Sequence, residues 1–105
     1  MLKITTIESA TKVPFQLDGK IMYSKPDLEI IHLTLKPGEI IAKHINDFDV
    51  IMYFIQGEGL IETKSSSTAF FPGMMAEIKS GEERGLTNKG LTDAKLLILK
   101  LLQLK

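Results

Sequence analysis

The stretch that decides the fold is Gly38-Glu39-Ile40-Ile41-Ala42-Lys43-His44-Ile45-Asn46, followed by Val50-Ile51-Met52-Tyr53-Phe54-Ile55 and Gly57-Glu58-Gly59. Side chains alternate along a strand, so His44 and Asn46 point to the same side. The run from Val50 to Ile55 is apolar without alternation, which suits a strand covered on both faces. Gly57-Glu58-Gly59 closes it as a hairpin turn, and no strand-to-helix context supports a phosphate loop there. Outward from this stretch, turn signals recur at Asp18-Gly19, Pro26-Asp27, Pro37-Gly38, Pro72-Gly73, Gly81 and Asn88-Lys89-Gly90. Short pieces bounded by Gly, Pro, Asn and Asp predict many strands folded on themselves as a sandwich or barrel. Ser65-Ser66-Ser67 is read as a hairpin loop between a strand at 60–64 and one reaching Phe71.

The spacing resembles the first motif of the cupins, small barrels of the double-stranded β-helix or jelly-roll type. That motif asks for Gly, five residues, His, one residue, His, three or four residues, Glu, six residues, Gly. Gly38, His44 and Gly57 match it, while Asn46 stands at the second His and Val50 at the Glu. The second cupin motif runs Gly, five residues, Pro, one residue, Gly, two residues, His, three residues, Asn. Gly73, Gly81 and Asn88 match, with Lys79 at the Pro and Arg84 at the His. Fifteen residues, Glu58 to Pro72, lie between the motifs, like the family's shortest spacers. The resemblance implies an all-β fold, a single cupin barrel over 1–105, with the strand that carries Arg84 facing His44 and Asn46 across the lumen. It also makes a strand of Leu96-Leu97-Ile98-Leu99-Lys100-Leu101-Leu102-Gln103-Leu104, although leucine favours helix and periodicity alone does not settle such a run.

The family's site is three imidazoles and a carboxylate around a divalent transition metal. Here the resemblance leaves His44, Asn46, Val50 and Arg84 in those places. Valine cannot ligate, and arginine has no lone pair to give and repels a cation. The expectation is a degenerate, metal-free site with no cofactor, in which His44, Asn46 and Arg84 bind a ligand. A structural reading competes at each position: His44 as a hydrogen-bonded barrel histidine, Asn46 as a structural amide, Arg84 turned to water at a bulge. If Arg84 faces inward, a carboxylate or a bound anion should lie beside it. Asp47 and Asp49 read as turn residues, though a one-residue slip would put Asp49 in the lumen. His32 shares a strand face with Thr34, opposite Ile31, Leu33 and Leu35, and the alternation does not say which face is luminal.

Composition narrows the function classes. The chain has 105 residues, 44% of them hydrophobic and 25% charged, as in an ordinary soluble domain. Thirteen basic side chains balance thirteen acidic ones, so no net field draws in nucleic acid or an anionic membrane. Without cysteine there is no disulfide, thiolate nucleophile or thiolate ligand. No apolar run resembles a signal peptide or reaches membrane-spanning length, which points to the cytoplasm.

Two functions fit this pattern. One is a binding barrel without catalytic metal that takes a small polar or anionic molecule in its lumen. The other is a metal-dependent cupin enzyme, a dioxygenase, isomerase or sugar-modifying activity, using His44 in an unconventional site. Both the Val50–Ile55 and Leu96–Leu104 strands are apolar on two faces, which predicts a homodimer that covers the outer one.

Overall fold

The computed structural model describes residues 1–102 of the chain. The strands are β1 (Thr11–Lys12), β2 (Asp18–Lys25), β3 (Leu28–Leu35), β4 (Ile40–His44), β5 (Asp49–Gln56), β6 (Gly59–Thr63), β7 (Ser67–Phe70), β8 (Met75–Ile78), β9 (Arg84–Asn88) and β10 (Ala94–Leu101). They form two antiparallel sheets, one of six strands in the order β1-β2-β3-β10-β5-β8 and one of four in the order β4-β9-β6-β7. Among the described residues no helix is long and apolar enough to cross a membrane. The strand-rich fold expected from the turn signals, and the all-β barrel that the resemblance implies, are what is observed.

The leucine-rich C-terminal run is a strand as far as Leu101, and residues 103–105 lie outside the described part of the chain. Tertiary context overrides leucine's helical preference here. β10 sits between β3 and β5 and is paired along its length on both sides. Its Ala94 and Leu96 are buried inward, as are Val50, Met52 and Phe54 of β5. The outward residues, Ile51, Tyr53 and Ile55 on β5 with Leu97 and Leu99 on β10, are exposed or half-buried.

Of two turns expected between strands, one is a simple hairpin and the other is not. Pro26-Asp27 joins β2 to β3 as a two-residue connection, with Lys25 opposite Leu28. Gly57-Glu58-Gly59 is not a hairpin turn, because β5 and β6 belong to different sheets. It is the corner at which the chain crosses from one sheet to the other. Gly57 has φ +88, and a Cβ there would sit 2.6 Å from the Ala94 Cα, so both conformation and space demand glycine.

The inner faces meet in a core of Leu33, Leu35, Val50, Met52, Phe54, Ile61, Phe70, Ile78, Leu86, Ala94 and Leu96. Phe54 and Phe70, from opposite sheets, stack with centroids 4.3 Å apart. Asn88 ties the sheets together: its Nδ2 donates to the Leu35 and Thr92 carbonyls, both at 2.9 Å, and its Oδ1 accepts from Gly90 N at 2.8 Å. This explains why an asparagine ends the second motif. It is a buried structural clamp, with donors and acceptor satisfied.

Candidate ligand-binding site

Packing does not fill the barrel. A cavity of about 500 Å³ lies between the sheets, and Leu33, Met52 and Leu86 belong both to the core and to its wall. The wall also carries His44, Asn46 and Arg84, the three residues singled out from the motifs.

A bulge brings His44 to this wall. Ile41 pairs with Leu86 and His44 with Arg84, so β4 holds one residue more than β9 between the two pairs. Strict alternation from Ile41, which lines the cavity, would have turned Lys43 inward and His44 out. The extra residue reverses the faces. Gly85 permits the close approach at that point, because a Cβ on it would lie 2.6 Å from the Ile41 carbonyl oxygen and 3.0 Å from Lys43 N. His44 Nδ1 donates to the Ala42 carbonyl at 3.0 Å, which orients the ring.

Arg84 faces inward and is 4% exposed. The alternative of a solvated arginine at a bulge is therefore removed; the bulge is on the neighbouring strand. With the Asn46 amide oxygen turned toward the guanidinium, Arg84 Nη2 and Nη1 donate to it at 2.6 and 3.2 Å, and Asn46 Nδ2 donates to the Ile45 carbonyl at 3.3 Å. That orientation gives both ends of the amide a partner. Arg84 Nε is buried without one. Among the described residues no carboxylate pairs with Arg84: the ion pairs there are Lys79 with Asp49 and Glu77, and Lys100 with Glu29. Burial lowers the guanidinium pKa from its ordinary value, with no neighbouring charge among the described residues to offset it. The carboxylate expected beside an inward Arg84 is absent among the described residues.

A divalent metal does not fit these side chains. The Asn46 oxygen is committed to a guanidinium, Val50 is fully buried in the core, and Arg84 holds a positive charge at the wall. Among the described residues no three His, Cys, Asp or Glu side chains come together. His32 cannot make up the number. It lies on the outer face of β3, opposite Leu97 and Lys20, while its neighbours Ile31 and Leu33 line the cavity. Asp49 does not slip into the lumen either: its carboxylate accepts from Ser80 N at 2.8 Å and lies 3.9 Å from Lys79 Nζ.

Sequence reasoning missed two wall residues, Glu29 and Lys100, which form an ion pair of 3.4 Å on the six-stranded sheet. Lys100 also lies 6.0 Å over the Phe48 ring. The signal was the period of two. Glu29 continues the inward series of Ile31, Leu33 and Leu35, and Lys100 continues that of Leu96 and Ile98, once the inward face is known. The segment between β1 and β2 supplies further wall through Val13, Pro14, Phe15 and Leu17.

The chain matches no family model and no curated protein. Solved structures resemble it closely in shape. An RmlC-like cupin from Shewanella frigidimarina superposes with a TM-score of 0.85 at 11% identity, covering 98% of this chain and 93% of that one. An uncharacterized conserved protein with a double-stranded β-helix domain, from Klebsiella pneumoniae, gives 0.82 at 18% identity over 97% and 91%. The polyketide cyclase RemF from Streptomyces resistomycificus gives 0.84 at 11% identity over 98% and 81%. With two facing antiparallel sheets and these likenesses, the chain has a double-stranded β-helix fold like that of these cupins.

Proposed function

We propose that this barrel binds a small anionic molecule in its lumen without a catalytic metal, with Arg84 meeting the negative charge and His44 and Asn46 forming the hydrogen-bonding surround. The observation that carries the reading is Arg84 itself: a buried guanidinium on a cavity wall, with an amide and, among the described residues, no carboxylate for company. An unpaired buried charge costs stability, and a bound anion would supply the missing counter-charge. Resemblance of fold does not select a substrate, because one barrel hosts many chemistries. We further propose a two-fold dimer through the outer face of the six-stranded sheet, where Tyr53, Ile55 and Met75 are 44%, 43% and 60% exposed.

The test is a thermal-shift screen of small carboxylates and phosphorylated metabolites against wild type, Arg84→Ala and Arg84→Met. A ligand that binds only the folded state stabilises it by about 2.7 kcal/mol at a hundred times its Kd. Wild type should show such shifts and both variants should lose them. Arg84→Met should also raise the melting temperature of the ligand-free protein, since it replaces an uncompensated charge by an apolar chain of similar length. Identical responses from wild type and both variants would end the proposal. Metal analysis of untagged protein provides the second arm, with well under one transition-metal ion per chain expected. A ratio near one that falls on His44→Ala would favour a metal-dependent enzyme instead.

A further inference from the structure

The cavity wall is apolar almost wherever it is not charged, and most of its charge is already cancelled. Val13, Leu17, Ile21, Ile31, Ile41 and Ile98 give the wall much of its aliphatic lining. The charged side chains on the wall, His44 aside, are Glu29, Arg84 and Lys100. Glu29 and Lys100 neutralise each other across 3.4 Å, both about three-quarters buried. Among the described residues one positive charge, that of Arg84, remains without a counter-charge. The volume, about 500 Å³, falls in the range of about 300–1,000 Å³ that holds drug-sized ligands and far exceeds a bare inorganic anion.

Resting on the anion-binding reading above, we infer that the lumen selects an amphipathic monoanion, an organic acid with one carboxylate at Arg84 and an apolar body against the aliphatic wall. A second carboxylate on the ligand has no cation waiting for it. It would lie against isoleucine and valine side chains, unpaired and stripped of water, or it would have to displace Glu29 from Lys100. A purely polar anion would neutralise Arg84 but leave the rest of the wall wet, and would forgo the gain from burying apolar surface. The Glu29–Lys100 pair therefore acts as a specificity element: it holds a lysine in the lumen while withholding it from the ligand. Phe15, 65% exposed yet part of the wall, offers apolar surface to the end of a longer body.

The test is calorimetric titration at neutral pH with acetate, butyrate, hexanoate and octanoate, and with adipate, which has hexanoate's carbon count but a second carboxylate. Each added methylene should tighten binding by about fourfold until the cavity is full. Adipate should bind at least about tenfold more weakly than hexanoate. Glu29→Gln should narrow that gap by about tenfold, because it frees Lys100 to meet the second carboxylate. Arg84→Met should abolish binding of the whole series. Arg84-dependent binding that is flat with chain length, or that favours adipate, would overturn the selectivity while leaving the anion site standing. If no acid in the series binds wild type in an Arg84-dependent way, the amphipathic selectivity falls, and the anion site falls with it only if the phosphorylated compounds of the thermal-shift screen also fail to distinguish wild type from Arg84→Met.

Discussion

Arg84 and His32 are both buried polar residues, and their surroundings give them opposite roles. Arg84 retains its charge because a guanidinium is not deprotonated in proteins, so its burial stores an unmet demand for an anion. His32 can shed its charge. Its pKa is lowered from 6.5, first by burial and next by Lys95, against a weaker opposing pull from Asp18. The unfolded chain consequently takes up the proton before the folded one does. Stability contributed by neutral His32 is fully present above about pH 6.5 and is lost as the pH falls through its lowered folded value. Urea denaturation of wild type and His32→Gln between pH 7.5 and pH 5, about the range in which histidine changes charge, should show wild type losing stability more steeply. Parallel curves would mean that His32 keeps the same proton affinity in both states. Its role was open from sequence because alternation yields two faces and does not say which is inside.

At the scale of the element, the bulge in β4 does what residue identity could not. His44 reaches the lumen because one extra residue between Ile41 and His44 switches the strand's faces, and Gly85 leaves room for the displaced backbone. Gly85→Ala should destabilise the protein by about 1–3 kcal/mol, because its Cβ meets the backbone of β4, which cannot rotate away as a side chain would. The same substitution should weaken anion binding by disturbing the register of His44 with Arg84. Chemical denaturation and the titration series check both outcomes. Wild-type stability would show that β4 shifts at no cost. The spacing of the glycines with His44 and Asn88 was legible in the chain, since each turn or clamp depends on local conformation or on one residue's hydrogen-bonding groups. The corner at Gly57 was not: a glycine with positive φ serves a hairpin and a sheet-to-sheet crossing equally well.

For the whole molecule, the remaining matter is the outer face of the larger sheet. Tyr53 lies opposite Leu97 on β10 and Met75 on β8, and Leu99 lies opposite Ile51, so the apolar residues form one contiguous field across three strands. A second copy related by a two-fold axis would cover it with its own equivalent. Sedimentation at micromolar concentration should give twice the monomer mass, and Tyr53→Lys should shift the protein toward monomer with its far-UV circular dichroism unchanged. A monomer across a hundredfold range of concentration would defeat the dimer.

By itself the sequence determined the strand-rich class, because turn chemistry is local, and its motif spacing carried the resemblance that implied the barrel and grouped His44, Asn46 and Arg84. The same resemblance put valine and arginine where metal ligands would be needed. The tertiary structure decided which way β3 faces, and with it the exclusion of His32 and the inclusion of Glu29 in the lumen. It decided too that Arg84 is buried with no carboxylate partner among the described residues. Those outcomes depend on which residues distant in the chain meet across the two sheets, and a buried charge takes its meaning from the neighbours that surround it.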